Sequence, residues 1–298
     1  MIQQVVDKKG SGGRSKTHLV AMNFGEFCDV MDTYNPSKEM SSNKRFSKSF
    51  HGDREFGNDL DAAKKLLWKG YEPQEMKATF AGFETEFEAK TEVISMDIEG
   101  HDFDVAAILS GDEDQWFKNK PSGNAPSIHL VYDGNAHCDI KPINFYIQSA
   151  VISKLAELLE LECRIKVSAS YQITDAIRGD TISSNMALFL SVKDYDEPSN
   201  AKRLGGVSHP SFFRRNVFSM IENPNGQFYS HKGTQPGWGY GSNAGDLVEE
   251  SMMSDTFGAD YTLRIPSPES IHFKDVDNAV EYCKDMLIKV QTDLSLLK

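Results

Sequence analysis

The chain has 298 residues, of which 39% are hydrophobic and 26% charged, a composition typical of a globular protein with one large domain or two ordinary ones. Its formal net charge of −12 disfavours a dedicated nucleic-acid binder, because phosphate contacts require clustered Lys and Arg side chains. No run of about 18 apolar residues is present, so we expect no membrane-spanning segment. The four cysteines form no C-x-x-C pair, which indicates neither a zinc module nor a disulfide framework and favours a reducing cytoplasm.

The N-terminal part of the chain predicts few regular elements. Residues 1–13 end in Gly-Ser-Gly-Gly, which indicates a mobile tail. Apolar residues then recur at helical spacing in residues 24–31, and they predict a short amphipathic helix with Asn23 as its cap. A second helix is expected at residues 59–68.

An acidic segment follows at residues 84–115, with eleven Asp or Glu residues and one basic residue, Lys90. This segment is predicted to contain an edge strand at residues 93–98 and a short helix at residues 104–109. Two interpretations of its charge stay open: a solvated face of the protein, or a docking surface for a basic partner.

The clearest pattern lies in the middle of the chain. Residues 128–132 form a short apolar run typical of a strand that is buried on both faces, and Asp-Gly-Asn at 133–135 ends it with turn-forming residues. Pro142 fits the first turn of a helix, along which apolar residues recur at three- and four-residue spacing. Residues 164–169 then alternate between polar and apolar. A strand, a helix and a strand in this order predict a βαβ unit.

More strands and helices are expected in the second half of the chain. Residues 186–192 predict a third apolar strand and residues 261–265 a last one. Ser208 is predicted to cap a helix that has Pro210 in its first turn. From Asp275 a C-terminal helix carries a heptad seam of apolar residues, which indicates a helix docked on its own sheet or a homodimer formed through this helix.

Alternating strands and helices of this kind predict an α/β protein with a doubly wound, largely parallel sheet. We expect this α/β domain to span residues 121–298. The preceding residues, 1–120, are expected to form a smaller α+β portion with the mobile tail.

The central unit resembles the first βαβ of a von Willebrand factor A-type domain, with the loop DGNAH at residues 133–137 and the strand ECRIKVSAS after the helix. In that family the loop is usually D-x-S-x-S, and its Asp and serines hold a divalent metal ion with a Thr and an Asp from later loops. Asp133 matches this pattern, whereas Asn135 and His137 replace the serines. The resemblance implies a Mg²⁺ site at Asp133, Asn135 and Asp194, the last of which follows the third strand.

Chemistry limits this implied ion site. Imidazole is a poor ligand for Mg²⁺, so we expect millimolar binding or none. We expect the loop to be held instead by turn hydrogen bonds from Asp133 and Asn135 to backbone N–H groups.

A second resemblance extends along the whole chain. The segments GNDLDAAKKLLWKGYEP, FDVAAILSGDEDQWF, VSHPSFFRRNVFSMIE and YTLRIPSP are similar to segments that recur in this order in an uncharacterised protein family of tailed bacteriophages. Families with the A-type scaffold often serve as adaptors for ring-shaped ATPases. The two resemblances together imply a phage-type, non-enzymatic adaptor in the host cytoplasm that binds another protein, with an AAA-type ATPase as one such partner.

Three alternatives to this adaptor stay open. A metal-dependent binding module with its ion at Asp133 is one alternative, and a structural component of the virion is another. An enzyme is less favoured, because Ser208-His209 lies in no G-x-S-x-G motif and the neighbours His137 and Cys138 have no evident third group to orient them.

Overall fold

The computed structural model describes residues 2–10, 13–33, 74–91, 125–136, 140–175, 182–197, 201–210, 212–217 and 257–297. The strands are β1 (Ile2–Gly10), β2 (Gly13–Asn23), β3 (Ser127–Asp133), β4 (Arg164–Asp175), β5 (Ile182–Lys193) and β6 (Tyr261–Ile265). The helices are α1 (Phe24–Thr33), α2 (Gln74–Thr91), α3 (Pro142–Leu159), α4 (Ala201–Ser208) and α5 (Val276–Leu297), with a π-helical segment at Phe212–Val217 and a 3₁₀ turn at Ile271–Phe273. None of these helices is long and apolar enough to cross a membrane.

Six strands form one sheet in the order β1-β2-β5-β4-β3-β6. β3 pairs in parallel with β4 and β6, and β2 pairs in parallel with β5, whereas β1–β2 and β4–β5 are antiparallel pairs. The described sheet is therefore mostly parallel and its strands are interspersed with helices, which confirms the predicted α/β class. Because β5 runs opposite to β4, its carboxyl end lies at the edge of the sheet where β4 begins.

The N-terminal residues belong to this sheet. Residues 2–10 form strand β1 and not the predicted mobile tail, because their backbone pairs antiparallel with β2 from Ile2 opposite Ala21 to Gly10 opposite Gly13. β2 then pairs with β5 from Arg14 opposite Ile182 to Asn23 opposite Ser191. Strands from residues 1–120 and from residues 121–298 thus share one sheet.

Helix α1 forms where the sequence predicts it and has the expected cap. The Glu26 backbone N–H donates to Asn23 Oδ1 at 2.8 Å, and the Asn23 backbone N–H donates to Glu26 Oε2 at 2.9 Å. This reciprocal pair satisfies two backbone donors that a helix start leaves open. Its apolar side chains Phe27, Cys28 and Met31 are buried.

The predicted βαβ unit is confirmed as β3, α3 and β4. Every residue of β3 is buried, as expected for a strand covered on both faces. α3 begins with Pro142 directly after Lys141, whose side chain makes no capping hydrogen bond. Residues 137–139 lie outside the described part of the chain.

One large apolar core lies between the helices and one face of the sheet. α2, α3 and α5 pack against one another on this side, and α1 and α4 pack on β5. Each of the five helices contributes buried side chains, such as Phe27, Phe83, Val151, Leu204 and Val280. The described helices therefore cover one face, and the second helical layer of a doubly wound sheet is not among the described elements.

The C-terminal seam packs within the chain's own core. Val280, Cys283 and Val290 on α5 are fully buried, and Leu287 is partly buried. Because α5 contacts α2 and α3, these positions face helices of the same molecule. A homodimer through α5 stays a prediction.

Several predicted elements lie outside the described residues. They are the helix at residues 59–68, the strand at residues 93–98 and the helix at residues 104–109. Most of the acidic segment lies there too, although its first residues form the end of α2.

The second face of the sheet carries a buried histidine. His129 on β3 is fully buried, and its Nε2 lies 2.8 Å from Ser168 Oγ on β4. The Phe257 ring packs edge-on against the His129 imidazole and also contacts Phe189. The pKa of His129 is lowered to about 3, mainly by burial and also by the charge of Lys166, whereas the charge of Asp194 partly opposes these effects.

His129 therefore makes stability depend on pH. In the unfolded chain the His129 imidazole takes up a proton near pH 6.5, whereas in the folded chain it does so only near pH 3. The contribution of the neutral imidazole to the free energy of unfolding is therefore fully present above pH 6.5 and decreases as the pH falls from 6.5 to about 3. We expect His129 to account for a loss on the order of 2–3 kcal/mol between pH 7 and pH 4.5. Urea unfolding across this range should show a smaller decline for His129→Gln than for the wild type. Equal declines would contradict this role.

Candidate functional site

Open α/β sheets usually bind ligands at the carboxyl ends of their strands, so the carboxyl end of β3 is a candidate site. Asp133, Gly134 and Asn135 are all buried. The Gly134 N–H donates to the Ser170 carbonyl at 2.9 Å, and the Asn135 N–H donates to Asp133 Oδ1 at 2.9 Å. The Asp133 carboxylate therefore stabilises its own loop, which confirms the predicted turn hydrogen bond.

The Asn135 side chain joins this loop to β4. Its Oδ1 accepts from the Gln172 backbone N–H at 3.0 Å, and its Nδ2 donates to the Gln172 carbonyl at 2.5 Å. Asn135 is 1% exposed, so these bonds are made away from water. β3 ends before it reaches Gln172, so no main-chain group of β3 can pair with the Gln172 N–H and C=O. The Asn135 side-chain amide takes the place of that missing main-chain partner.

Gln148 ties helix α3 to the same edge. Its Nε2 donates to the Asp133 carbonyl at 2.9 Å and to the Pro266 carbonyl at 2.6 Å. The two carbonyls belong to the carboxyl ends of the neighbouring parallel strands β3 and β6. One buried amide therefore fixes a helix and two strands relative to one another.

Gly134 is required by the close approach of Tyr171. A Cβ atom at this position would lie 2.4 Å from Tyr171 Cε1, which is far inside van der Waals contact. The Tyr171 hydroxyl donates to the Val207 carbonyl at 3.0 Å, and its ring stacks on Phe213 at 5.1 Å between centroids. Burial raises the pKa of Tyr171 well above its usual value, so its phenol stays neutral.

The structure does not bring Asp194 to this edge. Asp194 follows β5, and because β5 is antiparallel to β4, Asp194 lies beside the start of β4, with its Oδ1 3.4 Å from Lys166 Nζ. The strand that does end beside β3 is β6, and it continues into Pro266 and Ser267 without a carboxylate. The predicted ligands Asp133 and Asn135 are therefore neighbours, and Asp194 is at the opposite edge.

The residues at this edge do not fit a Mg²⁺ site. The Asn135 oxygen that would ligate the ion accepts a backbone hydrogen bond, and His137 lies outside the described residues. Among the described residues no group of three or more His, Cys, Asp or Glu side chains could hold a metal ion. Mg²⁺ prefers six oxygen ligands, and two are too few for tight binding.

Ser208 and His209 occupy other positions than the sequence predicts. α4 ends at Ser208, because Pro210 lacks a backbone N–H and disfavours helical geometry in the residue before it. The helix predicted after Ser208 is present as the π-helical segment Phe212–Val217, although Ser208 does not cap it. Ser208 Oγ lies 3.4 Å from the Tyr132 hydroxyl, and the His209 ring packs 6.0 Å from the Tyr146 ring. Burial raises the pKa of Tyr132, and the bond with Ser208 partly offsets this. Ser208 therefore contacts a neutral phenol that is a poor general base at pH 7.

A groove between α2 and α3 offers a concave surface of a different kind. It encloses about 310 Å³. Phe80, Ala81, Phe83 and Glu84 line it on α2. Ala150, Ser153, Lys154 and Glu157 line it on α3. Apolar and small side chains form most of its surface, and charged groups lie along it.

Lys154 and two carboxylates form the charged part of this groove. Lys154 Nζ lies 2.5 Å from Glu84 Oε1, 3.6 Å from Glu157 Oε2 and 5.4 Å from the centre of the Phe87 ring. Burial lowers the pKa of Lys154, but the bonds and charges of Glu84 and Glu157 outweigh this effect and raise it. The ammonium stays charged and is 10% exposed, whereas the Glu84 and Glu157 side chains are 42% and 55% exposed.

Sequence reasoning missed α2 and therefore the groove. The signal was present, because Met76, Phe80, Phe83 and Phe87 recur at spacings of four, three and four residues, and they form the inner face of α2. The acidic composition that begins at Glu84 concealed this helical period.

Comparison with models of protein families identifies a family for this chain. The model of a domain of unknown function, DUF7192, matches residues 10–291. No curated protein and no solved structure matches the chain.

Titration of divalent ions tests the edge of β3. We expect Mg²⁺ and Mn²⁺ to bind in the millimolar range or not at all, because Asn135 is already bonded to Gln172 and Asp133 is the one carboxylate that the described residues place at this edge. Isothermal titration calorimetry on the purified protein and on Asp133→Ala measures this directly. Micromolar binding that disappears in Asp133→Ala would contradict the structural role and establish an ion site.

Proposed function

This chain belongs to the DUF7192 family, and we propose that it is a non-enzymatic protein that binds another protein through the groove between α2 and α3. The observation that carries the proposal is the contrast between two surfaces. At the carboxyl edge of β3 Asp133 and Asn135 are bonded to backbone groups of the same chain, and Gln148 donates from its Nε2 to two backbone carbonyls while its Oε1 is buried without a partner among the described residues. The groove instead presents apolar surface and part-exposed carboxylates to solvent.

The groove has the features of a surface that a protein partner covers. Ala81 is exposed and Phe80 is partly exposed, so apolar area is open to contact. Small side chains at Ala81, Ala150 and Ser153 let another backbone approach closely. Interfaces of this kind combine a central apolar patch with a polar rim, and the charged groups here occupy the rim.

The resemblances to A-type domains and to a tailed-bacteriophage family extend the proposal to a partner and a location. The unit β3-α3-β4, with Asp133 at the end of its first strand, supports the A-type scaffold. With these resemblances we propose an adaptor in the host cytoplasm that has a ring-shaped AAA-type ATPase as its partner.

A site-specific photo-crosslinker at Ala81 tests the proposal in cells that produce the protein. We expect a discrete crosslinked partner, identified by mass spectrometry, that then binds the purified chain in reconstitution. Ser153→Arg, which places a long cation on the α3 side of the groove, should abolish both results. The matched control carries the crosslinker at Glu162, an exposed residue beyond the end of α3.

Two outcomes would overturn the proposal. One is a crosslinking pattern that is the same at Ala81 and at Glu162. The other is a reconstituted complex whose affinity does not change in Ser153→Arg.

A further inference from the structure

The groove between α2 and α3 carries a negative charge that its own cation does not remove. Lys154 faces two carboxylates, Glu84 and Glu157, so the three groups together retain one negative charge. The ammonium is nearly buried beneath them, whereas both carboxylates remain partly in water. Glu88 on α2, four residues after Glu84, is exposed as well, and Lys77, seven residues before Glu84, offsets one further negative charge on this face of the helix. The potential at the mouth of the groove is therefore negative.

Covering the groove removes water from these carboxylates. A carboxylate that loses its water without gaining a partner destabilises the complex, so an apolar or acidic partner would bind poorly. A Lys or Arg side chain beside Glu157 and Glu84 would replace the lost water, and its aliphatic stem would lie along Phe80.

The backbone geometry of the groove decides the conformation of the partner. Both walls are helices, whose interior N–H and C=O groups are bonded within the helix. An extended peptide would therefore find no main-chain partner and would leave its own backbone groups unpaired over the apolar surface. A helix satisfies its own backbone and places side chains at three- and four-residue spacing into the groove.

We propose that the groove receives a basic amphipathic helix of the partner protein, with apolar side chains against Phe80 and Ala81 and Lys or Arg side chains beside Glu84 and Glu157. This inference rests on the proposed function and names the chemistry of the partner surface. The small residues Ala81, Ala150 and Ser153 set how closely the helix approaches.

Two synthetic peptides test this chemistry. One is an 18-residue amphipathic helix of Leu and Lys, and the other has the same pattern with Glu in place of Lys. We expect fluorescence anisotropy to show that the Lys peptide binds, that its affinity falls as salt rises and that the Glu peptide does not bind. Glu157→Gln should weaken binding of the Lys peptide roughly three- to tenfold, and Ser153→Arg should abolish it.

Matched variants separate the groove from the general negative charge of the protein. Glu162→Gln removes an equal charge outside the groove, and Gly82→Ala changes α2 at a position where an added Cβ meets no atom within 4 Å. Both should bind the Lys peptide as the wild type does. Equal loss in Glu157→Gln and Glu162→Gln, or equal binding of the two peptides, would overturn the inference.

The inference and the proposed function can fail separately. If the partner captured at Ala81 contacts the groove with an acidic or extended segment, the inference is overturned and the proposed function stands. If the Lys peptide binds in the groove and crosslinking at Ala81 yields no partner that differs from the Glu162 control, the proposed function is overturned.

Discussion

The buried amide of Asn135 is the interaction on which the arrangement of the sheet depends. β3 pairs with β4 only as far as Asp133, and the Asn135 side chain supplies the next donor and acceptor to the Gln172 backbone. Gln148 from α3 then bonds to the ends of β3 and β6. Two amide side chains therefore hold three parallel strands and one helix in register, in a region where unpaired backbone groups would each destabilise the fold.

This use of polar groups explains why the usual ligand site of an α/β sheet is not the functional surface that we propose. At the carboxyl edge of β3 the Asp133 carboxylate and the Asn135 amide are bonded to backbone groups of the protein, and Gly134 is held against the Tyr171 ring. Gln148 Oε1 and Ser170 Oγ are buried there without a hydrogen-bond partner in the described part of the chain. The groove between α2 and α3 has the opposite character, since Glu84 and Glu157 remain partly in water. Function is therefore expected on the helical layer.

Local sequence patterns predicted the elements whose signal is complete within one segment. β3, α3, β4 and β6 each carry their own apolar period, and the α1 cap needs only Asn23 and Glu26. Strand direction is not a local property: the antiparallel pairing of β5, which separates Asp194 from Asp133, depends on β2 and β4. The glycines before β2 suit a mobile N-terminal tail as well as a link between two strands. Only the pairing of residues 2–10 with β2 shows that these residues form a strand.

Urea unfolding of Asn135→Ala tests most directly the claim that the carboxyl edge of β3 is a structural joint. The variant leaves the buried Gln172 N–H and C=O without their amide partner, so we expect the free energy of unfolding to fall on the order of 2–4 kcal/mol. Binding at the groove, measured on the folded variant, should be unchanged. A variant as stable as the wild type that no longer binds its partner would contradict the account and place the functional site at Asn135.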